Sequence, residues 1–525
     1  MRGSANSQNM IDRIKCRLGH LNLKFFISFI ILTYSVILLF IHYISGHPVQ
    51  SHLFNADALY LPILFENILK NDGNINDWYL TPAPYFFPDY IAFLMIYYLG
   101  ENFYQKIAIY SCFQVILTFI AISFTARELA CKNIFCAAAL ATVILIYLSL
   151  NTGEPYILVL ISAHHYGAFL VEIISLNITI RYFRCKDTEQ KSRMIFYLCC
   201  LSFITTASDS LFLIQFLIPL FASIFIFNLL IKQKLKENIY LYIFPIVFGI
   251  VGLLLCSLII ENRTMYPIMI GTEKIINNFI EVFKIIKNLF IKSPTFSFYF
   301  SVFYLFCFLY IFTPLRKGLS FGFPKEIFYV KIFLLSSAGI TLSTVLLTTN
   351  LPVTARYFIP AFSWPVIIGV VISTYIIKNK FFYLGSAVSI VIITLLSFNA
   401  LDLIKNNGIS KNHYPHEISC IDTYLFQEQL NNGIAQYWDA KYIQAFSKAN
   451  ITLAQHFGNL EEHRWITSKN FFRLTYDFAI ISKNADPTYR ISAEGLIKIN
   501  GPPKKTINCG NKQLLIYGKD QMKVQ

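Results

Sequence analysis

About eleven long apolar stretches punctuate this chain, and one polar block of 121 residues, 405–525, follows the last of them. A run of about 20 apolar residues spans the hydrocarbon core of a bilayer, with every backbone polar group bonded inside its own helix. The pattern therefore predicts an all-α polytopic membrane protein with a water-exposed tail. It also confines chemistry on polar substrates to loops and helix ends at one membrane face. Charged residues make up only 14% of the chain, against about 25% in ordinary soluble domains. The formal net charge of +15 comes from Lys and Arg set in short loops beside the apolar runs. That is the positive-inside signature of a membrane protein, and no nucleic-acid partner is expected.

The first apolar run, Phe25–Ile44, follows Arg2, Arg13, Lys15, Arg17 and Lys24 and is followed by His47-Pro48. It is longer than a signal-peptide core and lacks a small-residue cleavage site, which predicts an uncleaved helix with a cytoplasmic N-terminus. Basic clusters at 181–193, 232–236, 316–325 and 378–380 read cytoplasmic. Alternating through the seven runs near 194–208, 210–231, 239–260, 296–314, 327–349, 357–377 and 381–402 then places Asp209, Arg356, residues 262–295 and the tail outside. The first third holds five runs, at 25–44, 86–100, 105–126, 133–150 and 156–182, where parity admits four crossings. The short run 86–100 is expected to lie at the interface or re-enter, giving about eleven transmembrane helices in all.

The expected domains are a cytoplasmic segment 1–24 and a transmembrane domain 25–404 with outer loops 47–104 and 262–295. An extracytoplasmic α/β or α+β domain at 405–525 completes the chain, which is expected in the cytoplasmic (inner) membrane. In the second loop, Ile275, Ile276, Phe279, Ile280, Phe283, Ile286 and Phe290 recur at helical spacing among lysines, predicting an amphipathic surface helix. Of 11 cysteines, only Cys420 and Cys509 lie in the polar tail. An oxidising compartment makes a disulfide between them the expected pairing.

Several polar residues stand out against the apolar background. Asp57 sits in Phe54-Asn55-Ala56-Asp57-Ala58-Leu59, a segment expected to form an apolar interfacial helix. It reads either as part of a solvated acidic loop or as a catalytic carboxylate, since an ionised group there needs a partner or a task. Asp89 follows the Pro-rich aromatic stretch and is the rival base. Trp78–Tyr85 reads as a sugar-stacking platform or an interfacial anchor. His164-His165 breaks a long apolar run; adjacent helical histidines diverge by about 100° and chelate one metal poorly. They are expected to bond a phosphate or to cap a helix end. Asp209 either caps the helix after it or faces the same cavity as Asp57. Arg356 either snorkels or binds phosphate through its fork of donors.

With these residues in place, the chain resembles the C superfamily of integral-membrane glycosyltransferases, over roughly residues 25–404. The likeness rests on the N-in first helix, the large first loop with the early Asp57, the outer turn at 151–165, and Arg356-Tyr357-Phe358-Ile359-Pro360 opening a late helix. It is closest to the bacterial branch of aminoarabinose, protein-mannose and lipopolysaccharide-sugar transferases. Ala58 stands where many members carry Glu, and His164-His165 stand where metal-dependent members carry an Asp-x-Asp pair. No bound metal and no cofactor are therefore expected. The resemblance implies a polyprenyl-phosphate-linked sugar donor, a glycan, lipid or protein acceptor, and inverting displacement at the anomeric carbon. It implies Asp57 as general base, and Arg356 with His164 or His165 on the phosphate, beside Asp209 and Tyr357. Two other readings compete: an O-antigen-type polymerase or ligase, whose large loop usually lies between late helices, and a transporter, which places ionisable residues at mid-bilayer.

Overall fold

Within an apolar medium the backbone of these runs has no partner but itself, and the runs accordingly fold as helices. The computed structural model describes residues 3–45, 53–231, 238–259, 269–312 and 325–524. Helix α1 spans Gly3–Ile44, so the basic segment before residue 25 is already helical. Helices α2 (Tyr60–Lys70) and α3 (Ile91–Ile96) separate it from α4 (Phe103–Glu128). Then come α5 (Ile134–Thr152), α6 (Tyr166–Arg184), α7 (Thr188–Ser208), α8 (Ile218–Leu230) and α9 (Ile239–Ile259). The bundle ends with α10 (Ile275–Lys292), α11 (Pro294–Phe312), α12 (Lys325–Leu347), α13 (Ile359–Ile377) and α14 (Phe381–Asn407).

Among the described residues, seven helical stretches are long and apolar enough to cross a membrane. Their outer faces carry exposed apolar side chains at helical spacing, such as Phe244, Val247, Val251, Leu254 and Leu258 on α9. Water would oppose such faces and acyl chains accept them, so this is a helical membrane protein. Helices approach closely where side chains are small. A Cβ on Gly252 of α9 would lie 2.2 Å from the Phe203 carbonyl oxygen of α7.

The run 86–100 forms only a broken helix, Phe86–Leu99, about 21 Å long at 1.5 Å per residue. The run 156–182 is not one helix either. Residues 156–160 are a buried 3-10 helix, 161–165 a buried turn, and α6 begins at Tyr166. Its free carbonyls find side chains of α4: Ser111 Oγ donates to Leu160 O at 2.6 Å and Gln114 Nε2 to Val159 O at 2.6 Å. Irregular backbone at this depth requires such partners.

The polar tail is a mixed α/β domain. It contains α15 (His416–Glu428), α16 (Tyr437–Phe446) and α17 (Ala493–Asn500). The first loop supplies β1 (Trp78–Tyr79); the tail supplies β2 (Asn432–Ala435), β3 (Thr452–Gln455), β4 (Thr467–Ser468), β5 (Phe478–Ser482), β6 (Lys505–Cys509) and β7 (Lys512–Ile516). Five strands form one sheet in the order β3-β2-β5-β7-β6, with β3, β2 and β5 parallel. Helix α16 makes the crossover that parallel β2 and β3 need. Strand β5 is wholly buried. Asp477, just before it, accepts the N–H groups of Asn431, Asn432 and Asp520 at 2.8–3.0 Å, closing the turns at one sheet edge.

Several contacts dock this domain on one end of the bundle. Strand β1 pairs antiparallel with β4, Trp78 opposite Ser468. Trp78 is fully buried and its Nε1 donates to Asn67 Oδ1 at 2.9 Å. The Trp78-Tyr79 pair thus binds the soluble domain. At the start of α4, Asn102 Nδ2 donates to Asn412 Oδ1 at 2.5 Å. Arg127, Arg184 and Lys378 lie at the ends of α4, α6 and α13 away from the domain, and Lys24 lies midway along α1; Arg184 Nη1 donates to Glu128 O at 2.8 Å.

The described part of the second loop contains the expected amphipathic helix, α10; residues 262–268 of that loop lie outside the described residues. Ile276, Phe279, Phe283 and Ile291 are exposed, while Asn278 is buried. Asn278 Nδ2 faces the carbonyls of Val345, Leu346 and Thr348, at 3.1, 3.1 and 2.7 Å, at the open C-terminus of α12.

Cys420 and Cys509 form the expected disulfide, with Cα atoms 5.6 Å apart, tying α15 to β6 across 89 residues of sequence. Closing a loop of this length restricts the unfolded chain by about 4 kcal/mol. Cys420→Ser should therefore lower the thermal midpoint of the detergent-solubilised protein by several degrees. Thermal melts, with thiol labelling of Cys509 to confirm the loss of the bond, check this; an unchanged midpoint would show that the tail is held by its docking contacts alone.

Candidate functional site

The functional side chains come from four irregular segments at the domain-bearing end of the bundle. Asp57 lies on the turn 53–59, before α2 begins, and not on a helix as expected. Asn55 shapes that turn by accepting the Ala58 N–H at 2.8 Å. The flanking Ala56 and Ala58 are buried, which pins the backbone and leaves the carboxylate directed inward.

The turn 161–165 separates the two histidines. Ala163 and His165 have φ of +57° and +67°, a left-handed conformation that costs a non-glycine residue about 1–2 kcal/mol. His164 Nδ1 bonds the Ser162 carbonyl at 2.8 Å, so that nitrogen carries a proton and Nε2 faces Asp57 Oδ2 at 3.7 Å. His165 points elsewhere, with Nδ1 2.7 Å from Asp209 Oδ2 and Nε2 3.3 Å from the Tyr85 hydroxyl. Asp209 also accepts the Leu211 N–H at 3.0 Å, so it caps the next helix and orients His165 at once.

Asp89 braces this turn. Its Oδ1 accepts the Ala163 N–H at 3.0 Å and the Tyr110 hydroxyl at 3.2 Å. A Cβ on Gly167 would lie 2.1 Å from Asp89 Oδ2, so only glycine lets α6 start this close. Burial pushes the Asp89 carboxyl up to about 6, against the opposing bonds from Ala163 and Tyr110. Ser208 joins the same platform, accepting the Phe87 N–H on Oγ at 2.8 Å.

Arg356 sits on the short turn Ala355–Phe358 that opens α13, and Gln215 Nε2 holds that turn by donating to the Tyr357 carbonyl at 2.9 Å. The Arg356 guanidinium makes no ion pair or side-chain hydrogen bond among the described residues.

Asp57, Arg356, Tyr357, His165 and Tyr85 all line one cavity of ≈ 550 Å³. His164, Asp89 and Asp209 stand behind its wall. The two sequence candidates for base are thereby separated: Asp57 faces the cavity, and Asp89 is spent on structure. Pro82 and Ala83 of the aromatic stretch also reach the cavity, as Trp78 does not.

The soluble domain completes the site. Tyr437, the first residue of α16, donates its hydroxyl to Asp57 Oδ1. Beneath its ring, 4.2 Å from the centroid, lies the buried Lys441 ammonium. With its amide turned to suit both neighbours, Gln455 accepts from Lys441 Nζ and donates to the Trp465 carbonyl, both at 2.8 Å. Burial pushes Lys441 down to about 7, against the pull of the Asp57 carboxylate. Burial alone would raise the Asp57 carboxyl. The neighbouring His164, the Tyr437 hydroxyl and the Arg356 charge outweigh it and hold Asp57 below the ordinary carboxylate range. Trp438, His463, Trp465 and Tyr489 line the cavity beside Tyr437. None of these tail residues stood out as functional in sequence. The stretch Gly433–Ala440, β2 running into α16, places Tyr437 and Trp438 at the cavity.

A comparison with protein families and with curated proteins finds no match for this chain.

The bracing role of Asp89 has a direct test. Gly167→Ala should destabilise the protein by about 1–3 kcal/mol, because the added methyl displaces the carboxylate. Adding Asp89→Ala should cost less in that background than in the wild type, since the two groups share one space. Thermal melts of the four proteins measure the coupling; additive losses would mean the two residues act independently.

Proposed function

We propose that the protein is a membrane glycosyltransferase. It moves a sugar from a polyprenyl-phosphate donor to an acceptor hydroxyl at the outer face of the cytoplasmic membrane. The observation that carries this reading is the convergence of an ionised carboxylate, Asp57, and a guanidinium free of ion pairs, Arg356, on one cavity at a helix-bundle end. Base and leaving-group cation are the two elements an inverting glycosyl transfer needs. Supporting the side assignment, the soluble domain caps one end of the bundle while Lys24, Arg127, Arg184 and Lys378 occupy the other. On this reading α1, α4 to α9 and α11 to α14 are the eleven crossings, and α10 lies along the surface.

In the proposed reaction the acceptor oxygen attacks the anomeric carbon. Its proton passes to Asp57, held on Oδ1 by Tyr437 and faced on Oδ2 by His164. The bond from the anomeric carbon to the phosphate oxygen breaks, and its electron pair leaves on the polyprenyl phosphate. Arg356 stabilises that charge, with His165 on the same wall as a second phosphate partner oriented by Asp209. His164 stands behind Asp57 and acts as a positioning residue. A transporter reading draws on Glu172, an acid buried within α6 and bonded to Trp364 Nε1 at 2.7 Å. Glu172 does not line the cavity, and the transfer reading uses the groups that do.

Transfer of labelled sugar from defined polyprenyl-phosphate hexoses and pentoses, in membranes with expression matched, tests the assignment. Asp57→Asn keeps the shape and removes the base, and should cost about 10²–10⁴ in rate. Arg356→Ala should raise KM for the donor, lower kcat, or both. Retention of transfer by both variants would overturn the mechanism.

Tyr437→Phe removes a hydrogen bond that favours ionised Asp57, so the pKa of the base should rise. The acid limb of the pH–rate profile should then move to higher pH. Lys441→Met should move it the same way, through loss of a nearby positive charge. A limb that stays in place in both variants would show that neither group acts on Asp57.

A further inference from the structure

The cavity has two unlike walls. On the bundle side, Leu211, Ile214, Val345, Leu351 and Val353 present aliphatic surface interleaved with the hydroxyls of Ser210, Thr341, Thr344 and Thr348. On the soluble-domain side, Tyr437, Trp438, His463, Trp465 and Tyr489 present five rings, and no Asp, Glu, Lys or Arg of that domain lines the cavity. Asp57 and Arg356 lie on the same cavity, so a bound molecule touching the rings is within the space that serves the reacting groups.

The rings are preset. Tyr437 meets Trp438 edge to face with centroids 4.9 Å apart and lies 5.3 Å from His463. His463 stacks on Phe457 at 4.1 Å and lies 6.2 Å from Tyr489. Burial, with the Lys441 charge beside it, pushes the His463 imidazolium down to about 4, so this ring is polar and uncharged at neutral pH. Gln436 sets the start of α16 by accepting the Trp438 N–H at 3.3 Å, which fixes where the indole stands. The Trp438 side chain remains 46% exposed there, a large aromatic surface left open at a cavity rim.

The chemistry of this wall selects among acceptors. A pyranose offers C–H faces that pack on aromatic faces, and hydroxyls that bond indole, imidazole and phenol rims. An acceptor phosphorylated near its reacting hydroxyl needs a cation of its own, yet Arg356 is the one Arg or Lys lining the cavity among the described residues.

We infer that the aromatic wall of the soluble domain is an acceptor subsite, and that the acceptor is an uncharged saccharide stacked on Trp438 and Tyr489 with a hydroxyl directed to Asp57. This inference rests on the glycosyl-transfer reading for the role of the bound sugar, while the binding itself needs no donor.

The test uses the full chain in detergent without donor. The probes are soluble neutral oligosaccharides, serine- and threonine-containing peptides, and a disaccharide bisphosphate. Tryptophan fluorescence and saturation-transfer NMR report binding. The chain has 4 Trp, of which Trp78 and Trp364 are buried away from the cavity, so Trp438 and Trp465 dominate any change. At least one neutral oligosaccharide should bind. Trp438→Ala should weaken it about three- to tenfold, as expected for loss of one stacked ring. Trp438→Phe should restore most of the affinity. Failure of every neutral oligosaccharide to bind overturns the inference, as does binding indifferent to both Trp438→Ala and Tyr489→Ala. Saccharide binding with no transfer from any polyprenyl donor would leave the subsite standing and remove the transfer reading. Transfer to a peptide or bisphosphate acceptor, unaffected by Trp438→Ala, would do the reverse.

Discussion

A carboxylate taken out of bulk water must be partnered, and the partners of Asp57 come from distant parts of the chain. His164 faces one oxygen from the bundle, and Tyr437 holds the other from the soluble domain, 380 residues away in sequence. The cost of burying an unpaired charge is several kcal/mol, so the carboxylate, the histidine turn and the soluble domain are mutually dependent. The docked position of the tail and the ionised state of Asp57 are two aspects of one arrangement.

That arrangement requires rigid backbone where no regular structure is available. The segments 85–89, 161–165 and 208–211 lie at breaks or ends of helices and are buried or half-buried. They are tied to each other by Asp89, Ser208 and Asp209, each of which accepts backbone N–H groups that have no helical partner. The acidic residues in this region therefore divide their work. Asp89 and Asp209 satisfy backbone and orient histidines, and Asp57 alone of the three reaches the cavity. A sequence shows three carboxylates of similar prospects; hydrogen-bond accounting distinguishes them.

The contrast between the mixed aliphatic and hydroxyl wall from the helices and the aromatic wall from the soluble domain follows from solvent. Helices that face acyl chains offer Leu, Ile, Val and the short hydroxyl side chains of Ser and Thr where they border the cavity. The domain folds in water, where Tyr, Trp and His can keep polar rims wet while their faces pack. Two solvents thus produced two chemistries, and the polar reacting groups lie on the cavity they share.

Much of this was legible in the sequence because the bilayer leaves the backbone few options. Apolar runs of 20 residues must be helical, and the exposed apolar faces of α9 and α14 follow from that alone. The candidate residues Asp57, Arg356, His165 and Tyr357 were also legible, because ionisable and polar groups at helix ends have to be stabilised by something. The sequence even paired Cys420 with Cys509, since only two cysteines lay in the polar tail. What it could not show was which groups converge. The Trp78-Tyr79 pair looks like a surface platform until β4 is found against it. The left-handed turn at His165 sends adjacent histidines to two different carboxylates, Asp57 and Asp209, which lie far apart in sequence. Tyr437 and Lys441 look like ordinary residues of a soluble helix until the domain is docked. Local pattern determines where a chain must be helical; long-range packing decides which buried charge meets which partner, because that depends on contacts between segments hundreds of residues apart.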